Sequence, residues 1–174
     1  MSLPPPSRDN PFATLGLAVS FGIEAVAIER AYLKKIAVSH PDRVGDGGAA
    51  DAAALNAARR CLLDDEARAN AVLRLLGGAS PSDDRSLPDG FLMEMMQTRS
   101  AMEEELEEDP DSARPKWQDW GIQQRRRYAQ QVQELLADPG SLGACRTQLN
   151  AWRYIERLIE QLDPEYSPAR ADFS

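Results

Sequence analysis

Apolar residues recur at helical spacing along most of this chain, and nowhere do they alternate as a half-buried strand would. The clearest case comes late: Leu142, Cys145, Leu149, Trp152, Ile155, Ile159 and Leu162 stand three or four apart. That spacing puts them on one face of a five-turn helix. Val26, Ile28, Tyr32, Leu33 and Ile36 are interleaved with Glu29, Arg30, Lys34 and Lys35, and predict a helix over about 24–39. Leu55, Ala58 and Leu62 mark an alanine-rich helix over about 49–63, and Val72, Leu73 and Leu76 a helix after the acidic start Asp64-Asp65-Glu66. Acidic residues favour the positive N-terminus of that helix, and Gly77-Gly78 stops it. Three further helices are predicted over roughly 89–108, 116–137 and 142–162, separated at Asp109-Pro110-Asp111 and Asp138-Pro139-Gly140. The fold class is all-α.

Punctuation divides the chain. Pro4-Pro5-Pro6 and Ser7 lie in a tail over 1–9 that lacks material for a core. Phe12, Leu15 and Leu17 then open a first domain, 10–78. Residues 79–88, ASPSDDRSLP, have no periodicity and read as a linker. A second domain covers 89–165, and 166–174 is a tail.

Charge sharpens this division. The net charge of −8 is shared unevenly: 1–88 carry a net −1 and 89–174 a net −7. A pI near 4.7 lacks the basic footprint of a general nucleic-acid binder and does not suit anionic membranes. The apolar runs are too short to span a bilayer, and the start has no signal-peptide pattern. Cys61 and Cys145 are far apart, which fits free thiols in a reducing cytoplasm. With one histidine, they do not complete a structural zinc site. No metal or cofactor is expected.

Candidate chemistry centres on His40, the only histidine, in the stretch VSHPDRV. A general base needs an orienting partner and a substrate pocket. Neither is visible, and no nucleophile motif accompanies it. By itself His40-Pro41-Asp42 reads as a turn, a common use of Pro with Asp. Its setting is more specific. A lysine-bearing helix enters it and a second helix follows, so the triplet stands at the tip of a helical hairpin.

That arrangement resembles a J-domain, whose signature is HPD between its second and third helices. IERAYLKKIAVSHPDR looks like helix II and its loop, and NPFATLGL like the opening stretch. J-domains stimulate ATP hydrolysis by a DnaK-type chaperone and catalyse nothing themselves. The resemblance implies that His40, Pro41 and Asp42 are the stimulating tip, with Arg30, Lys34, Lys35 and Arg43 as the basic contact face. Ser39 stands where the family usually has tyrosine, and Lys35 at a usually apolar position.

The second half narrows the family. In FLMEMMQTRSAMEE, a core stripe of Phe91, Met95, Met102 and Leu106 leaves Leu92, Met93 and Met96 pointing elsewhere. A second apolar face on a surface helix implies a binding patch, and methionines suit adaptable surfaces. This stretch is similar to the segment that opens the C-terminal domain of HscB, the J-protein of iron–sulfur cluster assembly. LNAARRCLLDDEARANAVLRLLGG and LNAWRYIERLIEQLD resemble other helices of that family.

The resemblance covers Asn10 to Asp163. It implies an L-shaped pairing of a J-domain with a three-helix bundle. It also implies two partners: an HscA/DnaK-type chaperone, and an IscU-type scaffold bound through Leu92, Met93, Met96, Arg99 and Tyr154. Gln97 and Ser100 replace two acidic positions of that patch. The rival readings are a J-domain co-chaperone for another client and an unrelated helical oligomerisation protein.

Overall fold

In a computed structural model, residues 10–38 and 48–162 are described, and among them there is no strand. They fall into two compact units, the first ending at Leu75 and the second beginning at Leu76.

The first unit is built on α3 (Gly48–Leu63), against which α1 (Pro11–Leu15), α2 (Ala25–Val38) and α4 (Asp65–Leu75) pack. Asn10 caps α1, its side chain accepting from the Ala13 N–H at 3.1 Å. Gly16 ends α1 with φ 72, a left-handed conformation that favours glycine. Helices α2 and α3 run antiparallel, as two contacts show. Glu29 meets Arg59, and three residues later Tyr32 donates to Asn56 at 2.8 Å, three residues earlier on α3.

The core is Phe12, Leu15, Ile28, Leu55, Leu62, Val72 and Leu73. Two apolar positions of α2, Val26 and Leu33, lie in solvent instead. Leu76, expected on α4, is also exposed and lies just past the helix, which ends at Leu75.

Arg68 is buried in this core and fully occupied. Its guanidinium donates to the carbonyls of Phe21 at 2.8 Å and Leu62 at 2.6 Å and pairs with Asp65. These bonds tie the α1–α2 connection to the end of α3, in a place where an unpaired cation would be costly.

In the second unit α6 (Pro110–Leu136) is the spine, and α5 (Phe91–Glu108) and α7 (Leu142–Leu162) pack on it. Helix α6 starts at Pro110, not at the expected Lys116. Proline is tolerated at a first helical position, since that N–H has no partner within the helix. Asp109 serves both helices. Its N–H donates to the Glu105 carbonyl, and its side chain accepts from the Ser112 N–H at 3.2 Å. The α5–α6 corner therefore contains a single residue.

Cys145, Leu149, Trp152, Ile155 and Ile159 of the expected α7 stripe are buried, while Leu142 is half-buried. Each large apolar side chain so buried stabilises by about 1.5–3 kcal/mol relative to exposure. At Gly121 a Cβ would stand 2.8 Å from Cδ1 of Ile159, so α6 and α7 approach closely there.

Across this interface Arg125 and Glu156 form a buried two-pronged pair at 2.7 and 2.9 Å, and Trp152 Nε1 donates to the same carboxylate at 2.9 Å. Residues 84–86, read as part of a linker, are fastened to α7: the Asn150 amide donates to the carbonyls of Asp84 and Ser86, each at 3.0 Å.

Candidate functional site

Two surfaces hold the residues singled out in the sequence. On the first unit, Arg30, Lys34 and Lys35 are all exposed on α2. At about 100° per residue, Arg30 and Lys34 lie close together on the helix. Lys35 stands about a quarter turn further round. Its Cε lies 3.4 Å from where a Cβ on Gly16 would be, so its stem runs beside the end of α1. None of the three makes an ion pair with another described residue. His40, Pro41, Asp42 and Arg43, with Ser39, lie outside the described residues.

On the second unit, α5 and α7 both pack on α6 but leave a groove between them. It has a volume of about 250 Å³ and is lined by Leu92, Met95, Met96, Arg99, Tyr154, Arg157, Leu158 and Gln161. Four residues singled out in the sequence meet here: Leu92, Met96, Arg99 and Tyr154. Met93 is not part of the lining, but is exposed on the same helix. Leu92, Met93 and Met96 are 52, 68 and 72% exposed, so no described part of the chain covers them.

Helix α5 thus has two faces. Phe91 and Met102 are buried, and Met95 and Leu106 are half-buried between the core and the surface. Tyr154 is held by Phe91, the rings 5.9 Å apart and near-perpendicular at 79°, a favoured aromatic geometry. One wall of the groove is therefore set before anything binds.

Arg99 pairs with Glu103 one turn on, at 2.8 Å, with both side chains more than half exposed. Such pairs are worth only about 0.3–0.5 kcal/mol, so Arg99 can be redirected to another acid at little cost.

Met95, assigned by its spacing to the core stripe of α5, also lines the groove, while Arg157, Leu158 and Gln161 were not singled out by the sequence. These three are on α7, and only its placement beside α5 brings them to the groove. The two arginines put cations at the rim of an apolar floor, which suits a partner with apolar residues flanked by carboxylates. Among the described residues, no three His, Cys, Asp or Glu side chains gather as a metal site. No described helix is long and apolar enough to cross a membrane.

No family model matches the chain. It is 28% identical over 164 residues to a protein of Bordetella pertussis named as a co-chaperone protein HscB homologue, covering 90% of this chain and 95% of that protein. The chain is thus similar over nearly its whole length to co-chaperones of the HscB type. A homologue of the same name from Cupriavidus taiwanensis is 33% identical over 109 residues, a match that spans 58% of this chain and 62% of that protein.

Solved structures agree on the fold. The chain matches chaperone HscB from Vibrio cholerae with a TM-score of 0.74 at 24% identity, covering 89% of this chain and 96% of that one. It matches the human co-chaperone protein HscB with a TM-score of 0.76 at 19% identity, covering 94% and 85%. An N-terminal J-domain followed by a C-terminal helical domain is the architecture consistent with these neighbours.

Proposed function

We propose that this chain couples a client to a chaperone. The C-terminal domain, 89–165, binds an IscU-type iron–sulfur scaffold through Leu92, Met93, Met96, Arg99 and Tyr154. The J-domain, 10–78, stimulates the ATPase of an HscA/DnaK-type chaperone through His40, Pro41 and Asp42. Arg30, Lys34, Lys35 and Arg43 supply its cations. The chain is a regulator with no catalysis of its own, and it acts in the cytoplasm.

The observation that carries the reading is the uncovered apolar row Leu92, Met93 and Met96 beside a groove whose aromatic wall is already fixed. Large apolar side chains exposed together mark an interaction site rather than a solvated face. Tethering both partners to one chain raises the effective concentration of client at the chaperone without any new contact between them. Hydrolysis is then triggered when a client is within reach.

The test has two arms. Scaffold binding by Leu92→Ala/Met96→Ala is expected to weaken at least about tenfold, or about 1.4 kcal/mol, while the melting temperature is unchanged. Chaperone ATPase stimulation is expected to vanish in His40→Gln. Equal stimulation by His40→Gln and the unaltered chain rejects the J-domain role. Undiminished scaffold binding rejects the patch.

A further inference from the structure

The basic face of α2 is not purely basic. Val26 is 67% and Leu33 61% exposed, although they are apolar residues in a unit with a well-filled core. At about 100° per residue, Val26, Arg30, Leu33 and Lys34 fall within an arc of about 100°. Two apolar side chains and two cations thus share one strip along the same side of the helix. The helix is antiparallel to α3 and its opposite side supplies the buried Ile28, so the unit's own packing does not use this strip.

Glu29 adjoins Arg30 in sequence on the same helix, and its carboxylate is occupied. Arg59 Nε contacts its two oxygens at 3.0 and 2.8 Å, and Arg59 Nη2 reaches one of them at 2.5 Å. Arg30 and Lys34 therefore stand beside a neutralised pair and form no ion pair with described residues. Their charges are directed outward.

We propose that Val26 and Leu33 join Arg30 and Lys34 in one mixed apolar–basic strip that docks on the chaperone ATPase. The matching surface of the chaperone would be an apolar patch flanked by carboxylates. This deepens the proposed function and rests on it. Two kinds of contact would then divide the work. Cations steer the encounter and are screened by salt within about 8–10 Å at ordinary ionic strength. Apolar burial does not weaken with salt in that way, so Val26 and Leu33 would hold the complex once it has formed.

The experiment uses the full chain with the DnaK-type ATPase of the same cells. Single-turnover ATP hydrolysis is followed against chain concentration at low and high salt. Val26→Ser/Leu33→Ser is expected to raise the concentration for half-maximal stimulation about tenfold, or about 1.4 kcal/mol. The maximal rate should be unaffected, and the deficit should persist at high salt. The deficit of Arg30→Ala/Lys34→Ala should shrink as salt rises.

Melting followed by circular dichroism checks that both variants fold, and Leu33→Gln alone should show a smaller deficit of the same kind. If the unaltered chain stimulates and Val26→Ser/Leu33→Ser matches it at both salts, the strip is refuted and the J-domain role stands. The strip is refuted as a chaperone contact, too, if the double variant loses only self-association, seen by sedimentation, since it then serves a second copy. If the unaltered chain does not stimulate at all, the chaperone reading fails and the strip with it.

Discussion

Replacing Glu156 by alanine tests how the second unit is held together. Arg125 and Glu156 are 5 and 3% exposed, joined by two hydrogen bonds, with Trp152 Nε1 as a third donor to the carboxylate. Glu156→Ala leaves a guanidinium and an indole N–H facing a gap between α6 and α7. Breaking a buried pair by removing one partner typically costs about 3–5 kcal/mol. Domain stabilities are about 5–15 kcal/mol, so the loss should be a large part of the total. At about 4–8 °C per kcal/mol for a unit of this size, melting should fall by at least about 12 °C.

The assay has a built-in reporter. Trp117, Trp120 and Trp152, the only tryptophans, are all in the second unit, so urea unfolding read by tryptophan fluorescence follows that unit alone. The companion Arg125→Met/Glu156→Leu removes both charges and should recover most of the loss, since apolar replacement of a buried pair is often neutral. A loss below about 1 kcal/mol in Glu156→Ala, or a double variant worse than the single, would refute this account.

Other outcomes follow from the same packing. Arg68→Ala removes three hydrogen-bonding contacts in the first unit, two of them buried, and should cost it about 3 kcal/mol or more, read by amide hydrogen exchange in α1 and α3. Gly121→Ala places a Cβ 2.8 Å from Ile159 and should destabilise the second unit by about 1–3 kcal/mol in urea titration. Burial pushes the Cys145 thiol up to about 11, and burial also raises Cys61 above its ordinary value. At about pH 8, below the ordinary thiol range, both should therefore be slow towards a thiol reagent in native protein and fast in urea. For Cys145 the unfolded thiol ionises near 9.0 and the folded one near 11, so stability should be unaffected below that window and fall as pH rises through it. Rising stability across that window would contradict it.

The helices were legible wherever burial imposes a period. The α7 stripe from Cys145 to Ile159 is buried as its spacing requires, and the α2–α3 hairpin follows from two amphipathic runs with a short connection. The break at Asp109-Pro110-Asp111 was legible, but the start of α6 was not: it was expected at Lys116, yet Asp109 caps the helix and Pro110 fits its first turn. Arg68 and the Arg125–Glu156 pair left no periodic trace, because their partners are set by long-range packing: residues 125 and 156 share no sequence pattern.

Half of the groove was legible. The excess apolar positions of α5 marked Leu92, Met93 and Met96, but Arg157, Leu158 and Gln161 join only when α7 lies beside α5. Lys35 shows the same limit on α2, where sequence adjacency to Lys34 hides the rotation that carries it towards Gly16.

The groove lies between the first and last helices of the second unit, each docked on α6. Contacts of α6 with α5 and α7 join neighbours in sequence and close short loops, which are fast to form. The gap between α5 and α7 has no walls until both dockings are complete. Hence a half-assembled second unit, with α6 and α7 already paired, has the α7 side of the groove but not the groove itself. If the groove captures a client as proposed, capture would itself report on folding, because the groove exists only on molecules whose second unit is complete.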